Sequence, residues 1–505
     1  MDLLAEKTLW VGKFGDREQS LYLSPLFITS DNFLKNINTM KNFDLIIIGG
    51  GAGAFAAAIR ANELKAKTAL INAGLPLGGT CVNVGCVPSK TLLYAGEILH
   101  HAKHNVPGVE LAVKNFNFQK VVQDELSLVE KLRQEKYEKV LKNLEHVTAI
   151  EGKVKFVSQN EVGVNGEKLS AEKFIIATGS TANVPPIEGI RETGFVTHIE
   201  ALKMDKQPKE LVVIGAGPVG LEFAQMFARF GTKVTVLQRG DSILPQVEKP
   251  LADRLVEVLA SEGVSIITNA EVVKAYKDNG KKVITFTANG KEQMVQGDEI
   301  LLAAGKTANT KELGLEIVGA ETNELHAVVV SPTFQTSSPN IFAVGDVTNS
   351  PMRLETTAGR EGTLAAENAL KGTTLSIDYD TVPFTIFTDP QIAGVGSSES
   401  RQMKEQGVCN CRTVSFEAVP RAIIMHRTEG LIHMAVDTKS PKIVGMQILA
   451  PNAGELIATG MMIVKNDNTI DDVVNSLPMF PTLSEAIKIA ALSFTKDISK
   501  LSCCI

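Results

Sequence analysis

Basic residues are in no excess in this 505-residue chain: 51 Lys and Arg stand against 57 Asp and Glu, leaving a net charge of −6. That balance offers no positive field for nucleic acid or an anionic membrane surface. No uninterrupted apolar run approaches the ~18 residues that a spanning helix requires. Cysteine is scarce as well. Six in a chain this long cannot staple a secreted disulfide scaffold, and they fall in close pairs: Cys81/Cys86, Cys409/Cys411 and Cys503/Cys504. Such pairing points to thiol chemistry in a reducing compartment, the cytosol. Residues 1–39 lack the basic, apolar and small-residue sections of a signal peptide and carry acids that a transit peptide avoids. They hold the only tryptophan, Trp10, and no sustained period. What remains is ordinary globular material, 44% apolar and 21% charged, with room for about three domains.

The stretch Gly78-Gly79-Thr80-Cys81-Val82-Asn83-Val84-Gly85-Cys86-Val87-Pro88-Ser89-Lys90 stands out. Its two cysteines lie among glycines and open a predicted helix, with Pro88 in the first turn, where a missing N–H costs nothing. The positive end of a helix and Lys90 together favour an ionised thiol. Two such thiols that can close into a disulfide store two electrons. Spacing alone also admits a structural disulfide or half of a zinc site. The glycines suggest a large flat group packed on the backbone.

Phe43 to Ile48 reads as a buried parallel strand running into Gly49-Gly50-Gly51-Ala52-Gly53-Ala54 and an alanine-rich helix. This is a dinucleotide fingerprint: a tight turn, close backbone approach, and a helix N-terminus for pyrophosphate. The next strand ends at Asn72, where an acid usually meets the ribose; asparagine can still hydrogen-bond there. A helix follows to about His101, with Leu92, Leu93 and Ile98 expected in the core. Another spans about Phe118 to Leu144, with Val122, Leu126, Val129 and Leu132 near one face. A second strand–glycine–helix unit reads Gly215-Ala216-Gly217-Pro218-Val219-Gly220 and carries Glu222 on its helix. Two units imply two dinucleotides. The strand after the second ends in Gln238-Arg239, an amide and a cation in place of a ribose-binding carboxylate, which favours NADPH over NADH.

From Phe43 onward these motifs, in this order, resemble the flavin-dependent pyridine-nucleotide disulfide oxidoreductases. The resemblance implies an α/β protein with two Rossmann-like dinucleotide-binding domains, the second inserted in the first, and a C-terminal α+β dimerisation domain. Expected bounds are 40–190 and 311–382 for the FAD domain, 191–310 for the NADPH domain and 383–505 for the third, with 1–39 a disordered or loosely attached extension. The resemblance further implies FAD at Gly49, Gly51, Ala54, Asn72, Thr80, Lys90, Thr178, Gly179 and Asp346, and NADPH at Gly215, Gly217, Gly220, Gln238 and Arg239. Gly305 marks the return to the flavin domain. Lys90 and Glu222 are expected to pair beside the flavin, with Cys86 against it and Cys81 facing substrate.

The last stretch narrows the resemblance. Lipoamide dehydrogenases and glutathione reductases place an acid–base histidine before Pro-Thr; here Met479-Phe480-Pro481-Thr482 puts Phe480 there, and phenylalanine moves no proton. Further on come Cys503 and Cys504, vicinal thiols that bond one another only with strain and suit transfer of a soft metal ion. Together with Val419-Pro420-Arg421-Ala422 they resemble the mercuric reductases, although those commonly have tyrosine at position 480. This implies a cytoplasmic homodimer whose substrate is Hg(II) as a thiolate complex, passed from Cys503 and Cys504 of one subunit to Cys81 and Cys86 of the other. The alternatives are a reductase of a small or protein disulfide and a non-catalytic metal–thiolate buffer. Cys409 and Cys411 are expected to share one side of a strand and pack there, and His426 and His433 to be structural or surface residues.

Overall fold

The strand Lys41–Ile48 is apolar on both sides, with Leu45, Ile46, Ile47 and Ile48 all buried, as a parallel strand covered on both faces must be. It pairs in parallel with Thr68–Asn72 on one side and Glu167–Ile176 on the other, and Val147–Glu151 extends the sheet beyond Thr68–Asn72. Ile341–Ala343 arrives from far down the chain to pair with Glu167–Ile176. The helices Ala52–Glu63 and Glu355–Lys371 pack on one another over this sheet. They meet at Gly53 and Gly362, where a Cβ on Gly362 would sit 2.1 Å from the Gly53 carbonyl oxygen. The computed structural model describes residues 41–103 and 106–502, so the expected extension at 1–39 and the thiols Cys503 and Cys504 lie outside the described residues.

A second parallel sheet runs Ser265–Ile267, Lys233–Leu237, Glu210–Ile214, Glu299–Leu302. The largely buried helix Pro218–Phe230 packs on one face, and a three-stranded antiparallel sheet shares the core of the other. The chain leaves and re-enters the first domain at one place, where Ser180–Ala182 pairs antiparallel with Lys306–Ala308. A five-stranded antiparallel sheet with the helices Ala453–Lys465 and Glu485–Leu492 forms the third domain. The architecture is therefore two Rossmann-like domains, one inserted in the other, followed by an α+β domain. Arg229, on the second domain's buried helix, bonds both Glu262 (2.7 Å) and Asp389 of the third (3.0 Å), and Arg427 closes on Asp389 as well (2.7 Å). No helix among the described residues is long and apolar enough to cross a membrane.

Three expectations need correction. The long helix from Phe118 stops at Arg133, passes through a π-helical turn, Gln134–Glu138, and resumes as Lys139–Lys142. Ile98 is 52% exposed, because six residues on from buried Leu92 the helix has turned it to the far side, and Leu126, at the rim of its stripe, is 38% exposed. Cys409 and Cys411 do share one side, but their sulfurs are bonded rather than merely packed; their Cα atoms are 5.7 Å apart, within disulfide range.

Candidate redox active site

Glycines at the redox segment are there for the chain's own packing. A Cβ at Gly79 would lie 2.6 Å from Gly51 Cα, and one at Gly78 would meet Val82 and the Tyr137 ring. The segment is thus laid directly on the first dinucleotide loop. Cys81 falls in the short helix Gly79–Val84, and Cys86 opens the next, Cys86–His101. The turn between them brings Gly85 so near the Thr80 carbonyl oxygen that a Cβ would lie 2.8 Å away. Asn83 holds the loop from beneath, donating to the carbonyls of Pro76, Leu77 and Gly79, and Ser89 donates back to Gly85 O at 2.7 Å.

Both cysteines carry free thiols in this structure, and Cys86 is the more open. They titrate as a pair. A hydrogen bond from Cys81 stabilises the Cys86 thiolate; burial opposes it and the Lys90 charge assists, lowering Cys86 to about 7. The same hydrogen bond, followed by burial and the charges of Cys86 and Glu355, pushes Cys81 well above the ordinary thiol range. One proton shared by two sulfurs leaves a thiolate at Cys86 near neutral pH. In the reduced holoenzyme the thiolate's long-wavelength absorbance should titrate with a midpoint near pH 7. Lys90→Met should move that midpoint upward, and an unchanged midpoint would remove Lys90 from the account.

Lys90 Nζ is bonded to Glu222 Oε2 at 2.7 Å and lies 4.6 Å from the centre of the Phe387 ring. The other oxygen of Glu222 accepts the Phe387 backbone N–H at 2.9 Å. One buried carboxylate therefore joins the redox helix, the second dinucleotide domain and the third domain. Glu222 and Lys90 were legible in the sequence; Phe387, Tyr137 and Glu355 as neighbours of the site were not. Glu355 opens the helix Glu355–Lys371 and reaches the thiols only by tertiary packing. Burial, then the negative charge of the thiol pair and of Glu355, raises the Tyr137 phenol to about 12, so it keeps its proton.

The remaining residues fall into two cradles. In the first, Gly49 has φ +131° and sits so close to Ala177 O that a Cβ would be 2.2 Å away, while Ala54 is wholly buried in the helix above. The Asn72 amide donates to Leu75 O, and its oxygen lies against Gly50. Thr178 is bound to Asn309 through both its hydroxyl and its carbonyl, and Ser180 donates to Asp346 at 2.7 Å. The buried Glu361, unmarked in the sequence, fixes the Asp346 loop by accepting from Gly345 N, Ser350 and Tyr379. In the second cradle, Gly215 closes on Ala303 O and Gly220 on Gly215 O.

Both cradles fit a dinucleotide. Neither Gly51 nor Gly217 caps its helix with a side chain, which leaves the first-turn N–H groups, apart from Pro218 which has none, uncapped toward the loops. Gly179, Gly217 and Gly305 have no atom within 4 Å of where a Cβ would stand, leaving bare backbone for a ligand to approach. Gln238 is committed to its own loop, accepting from Ala216 N and donating to Ser242 O, whereas Arg239 beside it is exposed.

A family model described as pyridine nucleotide-disulphide oxidoreductase matches residues 43–362, and that of the family's dimerisation domain matches 382–491. Mercuric reductases of Lysinibacillus sphaericus and Streptomyces lividans are each 37% identical over 92% of this chain, and over 84% and 98% of their own lengths. Among solved structures, the HOCl-induced flavoprotein disulfide reductase RclA from Escherichia coli matches with a TM-score of 0.79 and 27% identity, over 90% of this chain and 100% of that one. With both domain models matched in order and the thiol pair inside the first, the chain belongs to the pyridine nucleotide-disulphide oxidoreductase family.

Proposed function

We propose that this chain reduces Hg(II) to Hg(0) with electrons from NADPH, acting as a cytosolic homodimer with FAD held by residues 40–190 and 311–382 and NADPH by 191–310. The observation that carries the reading is the Cys81–Cys86 pair with one thiolate poised near neutrality, in a chain whose acid–base position is Phe480. Thiolates are the ligands Hg(II) prefers, and a dithiol bound to the metal needs no proton donor to release it as the neutral atom. The 37% identity to mercuric reductases over most of the chain supports the same substrate.

When bound, FAD supplies the two electrons taken from NADPH. Cys81, the thiol facing substrate, takes the incoming metal and loses the shared proton as its sulfur ligates, and the Cys86 thiolate beside it is the second ligand. Lys90 offsets the negative charge of the two sulfurs, and Glu222 holds Lys90 in place. Two electrons delivered to the bound Hg(II) break both S–Hg bonds and leave the sulfurs as thiolates. Cys503 and Cys504 of the partner subunit deliver the metal by ligand exchange.

Mercury-dependent NADPH oxidation in excess thiol tests the proposal; oxidation driven only by disulfides would replace it with disulfide reduction. Removing Cys503 and Cys504 should spare NADPH-driven reduction of artificial dyes. Mercury turnover should fall most when the metal arrives with bulky or excess thiols, against which tethered thiolates compete at high effective concentration. An unaffected deletion would reject the delivery role. Arg239→Ala should narrow the NADPH-over-NADH preference in kcat/KM by roughly 10- to 100-fold, the worth of a charge-assisted contact to phosphate. Equal use of both nucleotides by the unaltered enzyme would sink the cofactor assignment.

A further inference from the structure

His433, expected to be structural or on the surface, is 3% exposed, and its Nε2 has no hydrogen-bond partner. A buried polar atom left unpaired calls for an explanation. The ring projects from the strand Leu431–Val436, and its other nitrogen, Nδ1, is fixed by Thr413 Oγ1 on the neighbouring strand at 2.9 Å. Nε2 therefore points in a set direction, between Glu248 Oε1 at 4.0 Å and Glu399 Oε2 at 3.9 Å.

The backbone fixes the Glu248 carboxylate and the base of the Glu399 side chain. Glu248 is buried at the N-terminal end of the helix Lys249–Ser261, and its N–H donates to Gln447 on the adjoining strand at 2.8 Å. Glu399 opens the helix Glu399–Gln406, and its N–H donates to Glu248 Oε1 at 2.7 Å. Among the described residues no lysine or arginine forms an ion pair with either one. Two converging carboxylates and a neutral imidazole lone pair form a site short of positive charge. The gaps to Nε2 are too long for hydrogen bonds. Ligands around a four-coordinate ion with bonds near 2.0–2.1 Å stand about 3.3 Å apart, so about 0.6–0.7 Å of movement would close each gap to Nε2. The half-exposed Glu399 side chain is free to make much of it.

The geometry points to a second metal site in this chain, formed by Glu248, Glu399 and His433, for a divalent cation of the zinc class. One imidazole and two carboxylates with an open fourth position are a borderline donor set suited to that ion. Either Nδ1 or Thr413 Oγ1 can donate in their hydrogen bond; in the tautomer with its hydrogen on Nδ1, Nε2 keeps the lone pair that would bind the ion, the usual arrangement behind a ligating histidine. Glu248 belongs to the second dinucleotide domain, whereas Glu399 and His433 belong to the third, so the ion would pin the two domains together.

The Cys409 and Cys411 sulfurs also lie within 4.8 Å of a Glu399 oxygen, so the experiment must separate them from His433. Oxidised holoenzyme with its remaining thiols alkylated by iodoacetamide is dialysed to equilibrium against Zn2+ and assayed for bound metal and for thermal unfolding. The site should hold one Zn2+ per chain and raise the unfolding temperature. Glu399→Gln and His433→Asn should each weaken that binding at least tenfold and abolish the shift, while Cys409→Ser/Cys411→Ser keeps both. His433→Asn retains an amide facing Thr413; should it fail to fold, Glu399→Gln, altered at a half-exposed side chain, decides alone. Absence of zinc binding, equal binding by Glu399→Gln, or loss confined to the cysteine variant would each overturn the assignment.

Discussion

Cys86→Ser is expected to reduce mercury-dependent NADPH oxidation by at least ~1,000-fold, because a serine hydroxyl neither ionises near neutrality nor closes a disulfide. Cys86 is the thiol that keeps a charge at pH 7, held there by Cys81 and Lys90. Its removal should also abolish the long-wavelength thiolate absorbance. FAD content should stay stoichiometric, since the flavin cradle at Gly49, Gly51, Gly179 and Asp346 owes nothing to the sulfur. Absorbance spectra and steady-state assays on one preparation check all three. Full mercury reduction by the variant would show that electrons reach the metal by another path.

Gly220→Ala is expected to lower kcat/KM for NADPH by ~100-fold or more while leaving FAD bound. A Cβ at that position would stand 2.0 Å from the Gly215 carbonyl oxygen and 3.4 Å from Ala303 Cβ, so the loop and the start of the helix Pro218–Phe230 must move apart. Displacements near 1 Å in a positioning element cost on the order of 10²-fold. The damage is confined to the second cradle. Enzyme reduced chemically rather than by nucleotide should therefore still deliver one round of electrons to Hg(II). Matching losses of flavin and nucleotide activity would mean instead that the substitution unfolds the domain.

Periodicity and glycine motifs made much of this legible in the sequence. The two dinucleotide units, the thiol segment and the Lys90–Glu222 pair all depend on local patterns: a buried strand, a tight glycine turn, a helix start. What escaped depends on meetings between distant segments. Glu355, Glu361 and Tyr137 look like ordinary surface residues until the helix Glu355–Lys371 lies over the first sheet and a π-helical turn swings Tyr137 toward Gly78. Gln238 was visible, but its commitment to Ala216 and Ser242 was not. His433 and Glu248 are nearly two hundred residues apart, and only the packing of the second domain on the third brings them together.

The contact of Gly53 with Gly362 has a further consequence, for the order of events during synthesis. The first sheet is complete only when Ile341–Ala343 pairs with Glu167–Ile176, and its first helix is covered only when Glu355–Lys371 arrives. A ribosome adding roughly 5–20 residues per second needs on the order of fifteen to sixty seconds to make the chain between Gly53 and Gly362. Throughout that interval the apolar face of Ala52–Glu63 and, once made, the edge of Glu167–Ile176 stand open, and before it ends the inserted second domain has all its strands. The nascent enzyme therefore finishes its middle before its beginning, and the half-built first domain is the stage at which chaperone capture or aggregation should concentrate.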